Sequence, residues 1–306
     1  MSPLDRHPRF GRVVTAMVTP FADDGALDLD AAAQLARWLV GHGSEGLVVA
    51  GTTGEGPVLS DAEHADLVRA VAEAVTVPVI AGTGTNDTAH SQSLTRAAAA
   101  AGADAVLVVT PYYNRPSQVG LLEHFAAVAG ATDLPVLLYD IPVRSGRRIA
   151  HETTLELIRR CGNVVGVKDA TGNPAVTARL VAAAPGSFEV YSGDDAFTLP
   201  LLSVGAVGVV SVAAHWAGRS MGEMVASFLE GDVGAACRRN ASLLSSYEFE
   251  SSEEFPNPLP VKAACRALGL PVGQCRLPMG RAPARLDEAA KALLDRLGAE
   301  VPVAIA

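Results

Sequence analysis

Lys168 is the residue of this chain whose setting points most directly to chemistry. It follows a short apolar run, residues 164–167, with the β-branched composition of a buried strand. Burial at the end of such a strand favours the neutral amine over the ammonium. A neutral lysine amine can attack a ketone and form a Schiff base, which then serves as an electron sink. The simpler interpretation is a lysine that ends a strand and extends its amine into water.

Three other kinds of side chain could assist the Lys168 amine by transferring protons or binding a carboxylate. Tyr139 ends the preceding apolar run, and a phenol beside the lysine could transfer protons during imine formation. Thr52 and Thr53 lie in the segment GTTGEG, whose glycines allow backbone amides to approach a carboxylate or oxyanion closely. Arg144 lies five residues after Tyr139, and its planar guanidinium can bind a carboxylate in bidentate fashion.

Each of these residues also has an ordinary structural interpretation. Tyr139 could be a half-buried core tyrosine, the threonines could belong to a simple turn, and Arg144 could be solvated. Tyr112 and Tyr113 lie on a proline-flanked segment, and an exposed aromatic pair is typical of an interface.

Metal and serine-nucleophile chemistry find little support. The seven histidines are scattered, and the chain has no H-E-x-x-H motif, no paired cysteines and no G-x-S-x-G elbow. Asp194 and Asp195 are interpreted as a helix-start pair rather than a cation site. We therefore expect no metal and no cofactor.

Composition excludes several classes of protein. The 306 residues are 49% apolar, which is too hydrophobic for a disordered chain. The net charge of −9 and the absence of basic runs argue against a nucleic-acid partner. No segment approaches the roughly 20 apolar residues of a membrane span, and the N-terminal residues do not resemble a signal peptide. A cytoplasmic protein with no membrane or nucleic-acid partner is expected.

Short apolar runs alternate with longer segments that carry helix signals. The runs are residues 13–18, 47–50, 79–81, 105–109, 136–139, 164–167, 189–191 and 208–212. They are apolar on both faces, as buried parallel strands are. Eight strand–helix units at fairly even spacing predict an α/β fold of the (β/α)8 TIM-barrel type, with a doubly wound open sheet as the alternative.

The chain after residue 230 has no strand signals. Helical patterns cover residues 233–247, 259–268 and 286–297. We therefore predict a catalytic barrel over residues 1–230 and a C-terminal helical extension over residues 231–306. One helix start is marked by a capping box, in which Ser60 precedes Glu63 by three positions.

Four segments, in this order and spacing, resemble the dihydrodipicolinate synthase and N-acetylneuraminate lyase family of pyruvate-dependent class I aldolases. They are GTTGE at 51–55, TPYYNRPSQ at 110–118, YDIP at 139–142 and GVKDATG at 166–172. The resemblance extends from Val14 to the RLPM of residues 276–279. It implies a (β/α)8 barrel with a C-terminal helical extension, assembled as a homotetramer of two tight dimers.

The resemblance implies a catalytic set. Lys168 would form the imine with pyruvate. Tyr139, Thr52 and Tyr113 would form a proton relay, with Tyr113 reaching the site of the neighbouring subunit. The enamine would then attack the aldehyde of aspartate semialdehyde, and the product would serve lysine and diaminopimelate biosynthesis.

The resemblance also implies a binding set. Thr53 and the backbone near Val210 would hold the pyruvate carboxylate, and Gly193 would line the pocket. Arg144 would bind the carboxylate of aspartate semialdehyde. Together with the NPLPVK of residues 257–262, this arginine favours condensation with aspartate semialdehyde. The alternatives are cleavage of N-acetylneuraminate or a 2-keto-3-deoxy sugar acid, and a non-catalytic barrel that binds a keto acid.

One region departs from the family pattern. Lysine-inhibited members carry a serine after GTTGE, a histidine soon after it, and a glutamate after the third strand, where this chain has Gly56, Asp61 and His90. Three other positions of that region keep the family residues, namely Asn86, His64 and Tyr112. Because the missing carboxylate would pair with an ammonium of lysine, we predict weak or absent lysine inhibition.

Overall fold

Eight parallel strands close into a barrel, in which consecutive strands pair and β1 also pairs with β8. The computed structural model describes residues 7–250 and 252–298. The strands are β1 (Val13–Ala16), β2 (Gly46–Val49), β3 (Val79–Gly82), β4 (Ala105–Val109), β5 (Val136–Asp140), β6 (Val164–Asp169), β7 (Glu189–Ser192) and β8 (Gly208–Ser211). The predicted (β/α)8 barrel is confirmed, and the open sheet is excluded.

Helices follow the strands and continue beyond them. They are α1 (Leu29–Gly41), α2 (Asp61–Ala74), α3 (Thr88–Ala100), α4 (Gln118–Ala129), α5 (Pro142–Ser145), α6 (His151–Arg160), α7 (Pro174–Ala183), α8 (Thr198–Leu202), α9 (Ala214–Leu229), α10 (Val233–Phe249), α11 (Leu259–Ala267) and α12 (Ala284–Leu297). The capping box at the start of α2 is confirmed. Ser60 Oγ accepts the Glu63 N–H at 3.3 Å, and the Glu63 carboxylate accepts the Ser60 N–H at 2.9 Å.

Both faces of the strands are buried, which explains their continuous apolar character. One set of side chains fills the barrel interior, and it includes Val14, Val48, Ile80, Leu107, Leu137, Tyr191 and Val210. The residues that alternate with them pack against the surrounding helices, and they include Val13, Leu47, Val79, Val106, Val136, Val190 and Val209. Each such aliphatic side chain, when fully buried, contributes about 1.5–3 kcal/mol of transfer free energy.

Strands β5 and β6 run further than the apolar runs predict. Tyr139 pairs with Lys168 and Asp140 pairs with Asp169, so polar residues continue both strands. The apolar pattern could not show this, because backbone pairing extends strands beyond the point where side chains stop being hydrophobic. As a result, Lys168 lies within β6, on a rigid element.

The C-terminal helices pack on the barrel and on one another. Helix α10 packs along α9, and α11 packs against α12. The helices predicted over residues 233–247, 259–268 and 286–297 are confirmed. The domain boundary placed at residue 230 falls between α9 and α10 and stays a prediction, and residues 299–306 lie outside the described part of the chain. None of the helices within residues 7–250 and 252–298 could cross a membrane.

Candidate active site

Lys168 and Tyr139 lie side by side at the carboxyl end of the barrel strands. They occupy paired positions on β6 and β5, and the Lys168 Nζ lies 4.3 Å from the centroid of the Tyr139 ring. Lys168 is 5% exposed and Tyr139 is 4% exposed. The structure thus brings together the predicted amine and phenol in a place from which most water is excluded.

Gly193 makes room for the arm of the lysine. A Cβ atom at this position would lie 2.9 Å from Lys168 Cγ and 3.0 Å from Ala170 Cβ. Carbon atoms that are not bonded prefer about 3.5–4.0 Å, so any side chain here would displace Lys168. The Gly193 N–H donates to the Asp169 carbonyl at 2.8 Å, which holds the end of β7 beside β6.

Three lysines occur in the chain, and their surroundings differ. Lys262 is buried and its Nζ lies 2.7 Å from a carboxylate oxygen of Glu55. Lys291 is exposed on α12. For Lys168, no carboxylate of the described residues lies within salt-bridge distance. Lys168 is therefore the buried lysine that is not committed to an ion pair, as a nucleophile requires.

A cavity of about 540 Å³ opens at this end of the barrel, a size suited to small-molecule ligands. Its wall combines Thr52, Tyr139 and Arg144. Arg144 comes from the short helix α5 and has an exposed side chain. Five other predicted site residues are absent from this wall within the described chain, namely Thr53, Tyr113, Lys168, Gly193 and Val210. Val210 is a buried β8 residue paired with Val14.

The segment that carries Thr52 and Thr53 is a tight turn. A Cβ atom on Gly56 would lie 2.3 Å from the Ala50 carbonyl oxygen, so the turn requires glycine there. Thr53 is 3% exposed, and its Oγ1 accepts a hydrogen bond from Asn257 Nδ2 at 2.9 Å. The interpretation of the segment as a turn is confirmed, with Thr52 on the cavity wall and Thr53 buried beside Asn257, and the binding role of the two hydroxyls stays a prediction.

Residues of the C-terminal extension hold the turn. Besides its ion pair with Lys262, Glu55 accepts the backbone N–H of Arg276 at 2.9 Å. The Arg276 guanidinium bonds both oxygens of Glu63, at 2.5 and 3.0 Å, and these bonds lower the pKa of Glu63 to about 2. The Lys262 Nζ and the Arg276 guanidinium also lie over the ring of Phe21, at 4.3 and 4.2 Å.

Tyr112 and Tyr113 differ sharply in their surroundings. Tyr112 lines the cavity, and partial burial raises the pKa of its phenol. Tyr113 is 89% exposed, and its φ of 72° lies in the left-handed region that non-glycine residues rarely adopt. Within this chain, Tyr113 therefore faces outwards, away from the cavity that Tyr112 lines.

The sequence model of the Dihydrodipicolinate synthetase family matches residues 9–297. The chain belongs to this family. The resemblance inferred from the four sequence segments is therefore confirmed.

Individual relatives match over nearly the whole chain. The 4-hydroxy-tetrahydrodipicolinate synthase of Moorella thermoacetica is 49% identical over 292 residues, covering 95% of this chain and 99% of the relative. That of Bacillus subtilis is 47% identical, covering 88% and 93%. A dihydrodipicolinate synthase structure from Cyanidioschyzon merolae, with lysine bound, matches with a TM-score of 0.91 at 42% identity, covering 94% and 98%. A structure from Bacillus anthracis matches with a TM-score of 0.90 at 40% identity, with the same coverage.

The positions associated with lysine inhibition in the family lie together in this structure. All of them line the same cavity as Thr52 and Tyr139, and they are Gly56, Asp61, His64, Asn86, His90 and Tyr112. His90 Nε2 lies 2.8 Å from a carboxylate oxygen of Asp61. Where a lysine-inhibited relative has a glutamate, this chain therefore presents an imidazole that already contacts a carboxylate.

Behind the paired Lys168 and Tyr139 lies a pair of buried carboxyl groups. Asp140 and Asp169 follow them on the two strands and are 5% and 6% exposed. Asp169 accepts hydrogen bonds from the Thr177 hydroxyl at 2.6 Å and the Thr171 N–H at 2.9 Å. Burial, together with the charge of Asp169, raises the pKa of Asp140 to about 7, although a hydrogen bond from the Ile149 N–H opposes the shift.

Asp140→Asn should remove a part of the pH dependence of stability. The folded chain keeps the Asp140 proton up to about pH 7, whereas the unfolded chain releases it near the ordinary value of 3.8. The stabilisation that the protonated Asp140 carboxyl contributes is therefore fully present below pH 3.8. It falls as the pH rises towards 7, by up to about 1.4 kcal/mol per pH unit. Urea denaturation at several pH values should show wild type losing this stability relative to the variant.

The matched control for this experiment is Asp133→Asn, at an exposed aspartate just before β5. Buried histidines with a lowered pKa, such as His215, act in the opposite direction but are common to all three proteins. Parallel stability curves for wild type and Asp140→Asn would contradict the prediction.

Sequence reasoning did not assign a role to the residues that hold the turn. Glu55, Asn257, Lys262 and Arg276 all lie in segments that carry the family resemblance, yet nothing in their spacing indicates that they meet. Asn257 and Thr53 are separated by 204 positions. A co-varying pair in related sequences is the signal that could have found such a contact.

Proposed function

We propose that this protein condenses pyruvate with L-aspartate 4-semialdehyde through a lysine Schiff base, giving 4-hydroxy-tetrahydrodipicolinate. The observation that carries the proposal is the buried Lys168 amine, which lies against Tyr139 and has no ion-pair partner within the described residues. The names of the Moorella and Bacillus relatives support the choice of reaction. The class of enzyme is a lyase of the class I aldolase type, in the biosynthesis of lysine and diaminopimelate.

In the proposed reaction, the Lys168 Nζ attacks the keto carbon of pyruvate and water leaves to give the imine. Loss of a methyl proton gives the enamine, whose carbon attacks the aldehyde of the second substrate. The substrate amine then displaces Lys168 and closes the ring. Tyr139, Thr52 and Tyr113 relay the protons of these steps.

Carboxylate recognition is assigned to a separate group of residues. Thr53 and the backbone near Val210 hold the pyruvate carboxylate, and Gly193 keeps the space around the lysine arm open. Arg144 binds the carboxylate of aspartate semialdehyde, and its position on the cavity wall and its exposed side chain support this role.

The proposed assembly is a homotetramer built from two tight dimers, and the proposed location is the cytoplasm. Tyr113, in the segment between β4 and α4, and Val143, in the short helix α5, are 89% and 85% exposed, which supports an interface there. In such a dimer, Tyr113 completes the relay of the neighbouring subunit.

The test compares two reactions of the purified protein, the condensation with aspartate semialdehyde and the cleavage of a sugar acid. Wild type should form 4-hydroxy-tetrahydrodipicolinate from pyruvate and aspartate semialdehyde, and Arg144→Ala should lose that activity while still forming a borohydride-reducible pyruvate adduct. Cleavage of N-acetylneuraminate or a 2-keto-3-deoxy sugar acid, with little effect of Arg144→Ala on it, would favour the sugar-acid alternative. Absence of any adduct in folded wild type would leave a non-catalytic barrel.

Lysine should inhibit this enzyme weakly or not at all. The cavity presents His90, paired with Asp61, where an ammonium group would need a free carboxylate. The measurement is a lysine titration of the condensation rate, with His90→Glu as the companion variant. Inhibition of wild type at sub-millimolar lysine would contradict this prediction.

A further inference from the structure

The turn that carries Thr52 and Thr53 is a strained piece of backbone. Ala50 and Glu55, at its two ends, both have φ of 55°, in the left-handed region. Each such conformation costs on the order of 1–3 kcal/mol for a residue with a side chain. The turn therefore depends on contacts from outside itself to keep its hydroxyl groups in place.

Several of those contacts come from the C-terminal extension, and Thr19, between β1 and α1, adds a hydrogen bond from its hydroxyl to the Gly54 carbonyl at 2.5 Å. Lys262 and Arg276 bind the Glu55 end of the turn, as described above. Asn257 instead donates a hydrogen bond directly to the Thr53 hydroxyl, to which we assign a role in substrate binding. Its Nδ2 lies 2.9 Å from Thr53 Oγ1. Asn257 and Thr53 are 7% and 3% exposed, so water competes little for this hydrogen bond.

The direction of this hydrogen bond decides what Thr53 can do. An amide N–H can only donate, so the Thr53 oxygen acts as the acceptor. The hydroxyl hydrogen of Thr53 must then point towards some other acceptor. A substrate carboxylate accepts hydrogen bonds and cannot donate them, so it matches a hydroxyl that has been set as a donor.

We propose that Asn257 is a positioning residue that orients the Thr53 hydroxyl to donate to the carboxylate of the keto acid. This inference rests on the proposed function, in which Thr53 binds pyruvate. It makes the C-terminal extension a part of the substrate site. A Thr53 hydroxyl oriented as a donor favours a 2-keto acid anion over a neutral ketone.

Two variants of Asn257 test the inference. Asn257→Asp replaces the N–H donor by an acceptor, so the Thr53 hydrogen turns towards Asp and the added charge repels pyruvate. The pyruvate concentration that half-saturates borohydride capture, and the KM for pyruvate, should rise by about tenfold or more. Asn257→Ala removes the orienting donor without adding a charge and should raise both values by a smaller factor. The KM for aspartate semialdehyde should change by less than about twofold in either variant.

A double-mutant cycle separates positioning from general support of the fold. Thr53→Val should weaken pyruvate binding, and adding Asn257→Ala to it should cause no further loss, because the two residues act through one hydroxyl. Asn240→Asp, which adds the same charge on helix α10, should leave the KM for pyruvate unchanged. Urea denaturation of every variant checks that the fold is intact.

Two results would overturn the inference while the proposed function stands. One is an Asn257→Asp protein whose half-saturation by pyruvate equals that of wild type. The other is additive effects in the cycle, which a merely structural asparagine would give. If wild type itself forms no pyruvate adduct, the proposed function fails, and the role assigned to Asn257 fails with it.

Discussion

Lys168→Ala is expected to abolish covalent capture of pyruvate and to lower kcat for condensation by at least about a thousandfold. The variant has no amine that could form the imine, and loss of a covalent nucleophile commonly costs several orders of magnitude in rate. The lysine is buried against Tyr139, and no second lysine lies beside it on the strands. Intact-mass measurement after incubation with pyruvate and borohydride detects the adduct, and a coupled assay gives the rate.

The chain offers a matched control, because another of its three lysines is exposed and distant in sequence. Lys291→Ala on α12 should retain both the adduct and the rate. Lys168→Arg keeps a positive charge without a nucleophilic amine and should behave like Lys168→Ala. An adduct that persists in Lys168→Ala would show that another amine captures pyruvate, and the assigned chemistry would then be wrong.

Lys262→Met should destabilise the folded protein by about 3–5 kcal/mol, since breaking a buried ion pair leaves one charge uncompensated. The Lys262 and Glu55 side chains are 1% and 4% exposed, with 2.7 Å between the charged atoms. Burial lowers the pKa of Lys262, and the charge of Glu55 and its hydrogen bond to Lys262 oppose that shift. Chemical denaturation in urea measures the loss.

A double variant distinguishes the effect of an uncompensated charge from the effect of losing the Lys262 side chain. Glu55→Gln combined with Lys262→Met removes both charges and should recover a large part of the stability lost in Lys262→Met alone. Lys291→Met, at the exposed lysine, should change stability by less than about 0.5 kcal/mol. A Lys262→Met protein within about 1 kcal/mol of wild type would mean that the Glu55 turn is held in another way.

Much of the barrel could be predicted, because its physical cause is local in sequence. Strands buried on both faces must be apolar throughout, and eight such runs alternate with helix signals. The placement of Lys168 beside Tyr139 follows from the same logic, since successive strands of a parallel barrel pair and their carboxyl ends meet. The proximity of this amine and this phenol could therefore be predicted from the sequence, while the chemistry assigned to them stays a prediction.

The surroundings of the turn were not predictable in this way. Thr53 and Asn257 meet only because the C-terminal helices fold back over the barrel mouth, and no periodicity encodes such a contact. The continuation of β5 and β6 through Asp140 and Asp169 was missed for a related reason. Buried aspartates break the apolar pattern, although the backbone pairing continues.

The contacts between the C-terminal extension and the Thr52–Thr53 turn have a consequence for folding during synthesis. Chains leave the ribosome from the amino terminus, and domains fold as their residues emerge. All eight strands, with Lys168 and Tyr139, are synthesised before Asn257, Lys262 and Arg276. A nascent chain therefore carries Lys168 before it carries the C-terminal groups that help to hold the strained turn. We expect a chain that terminates just beyond the barrel to hold Lys168 beside a turn that lacks these contacts.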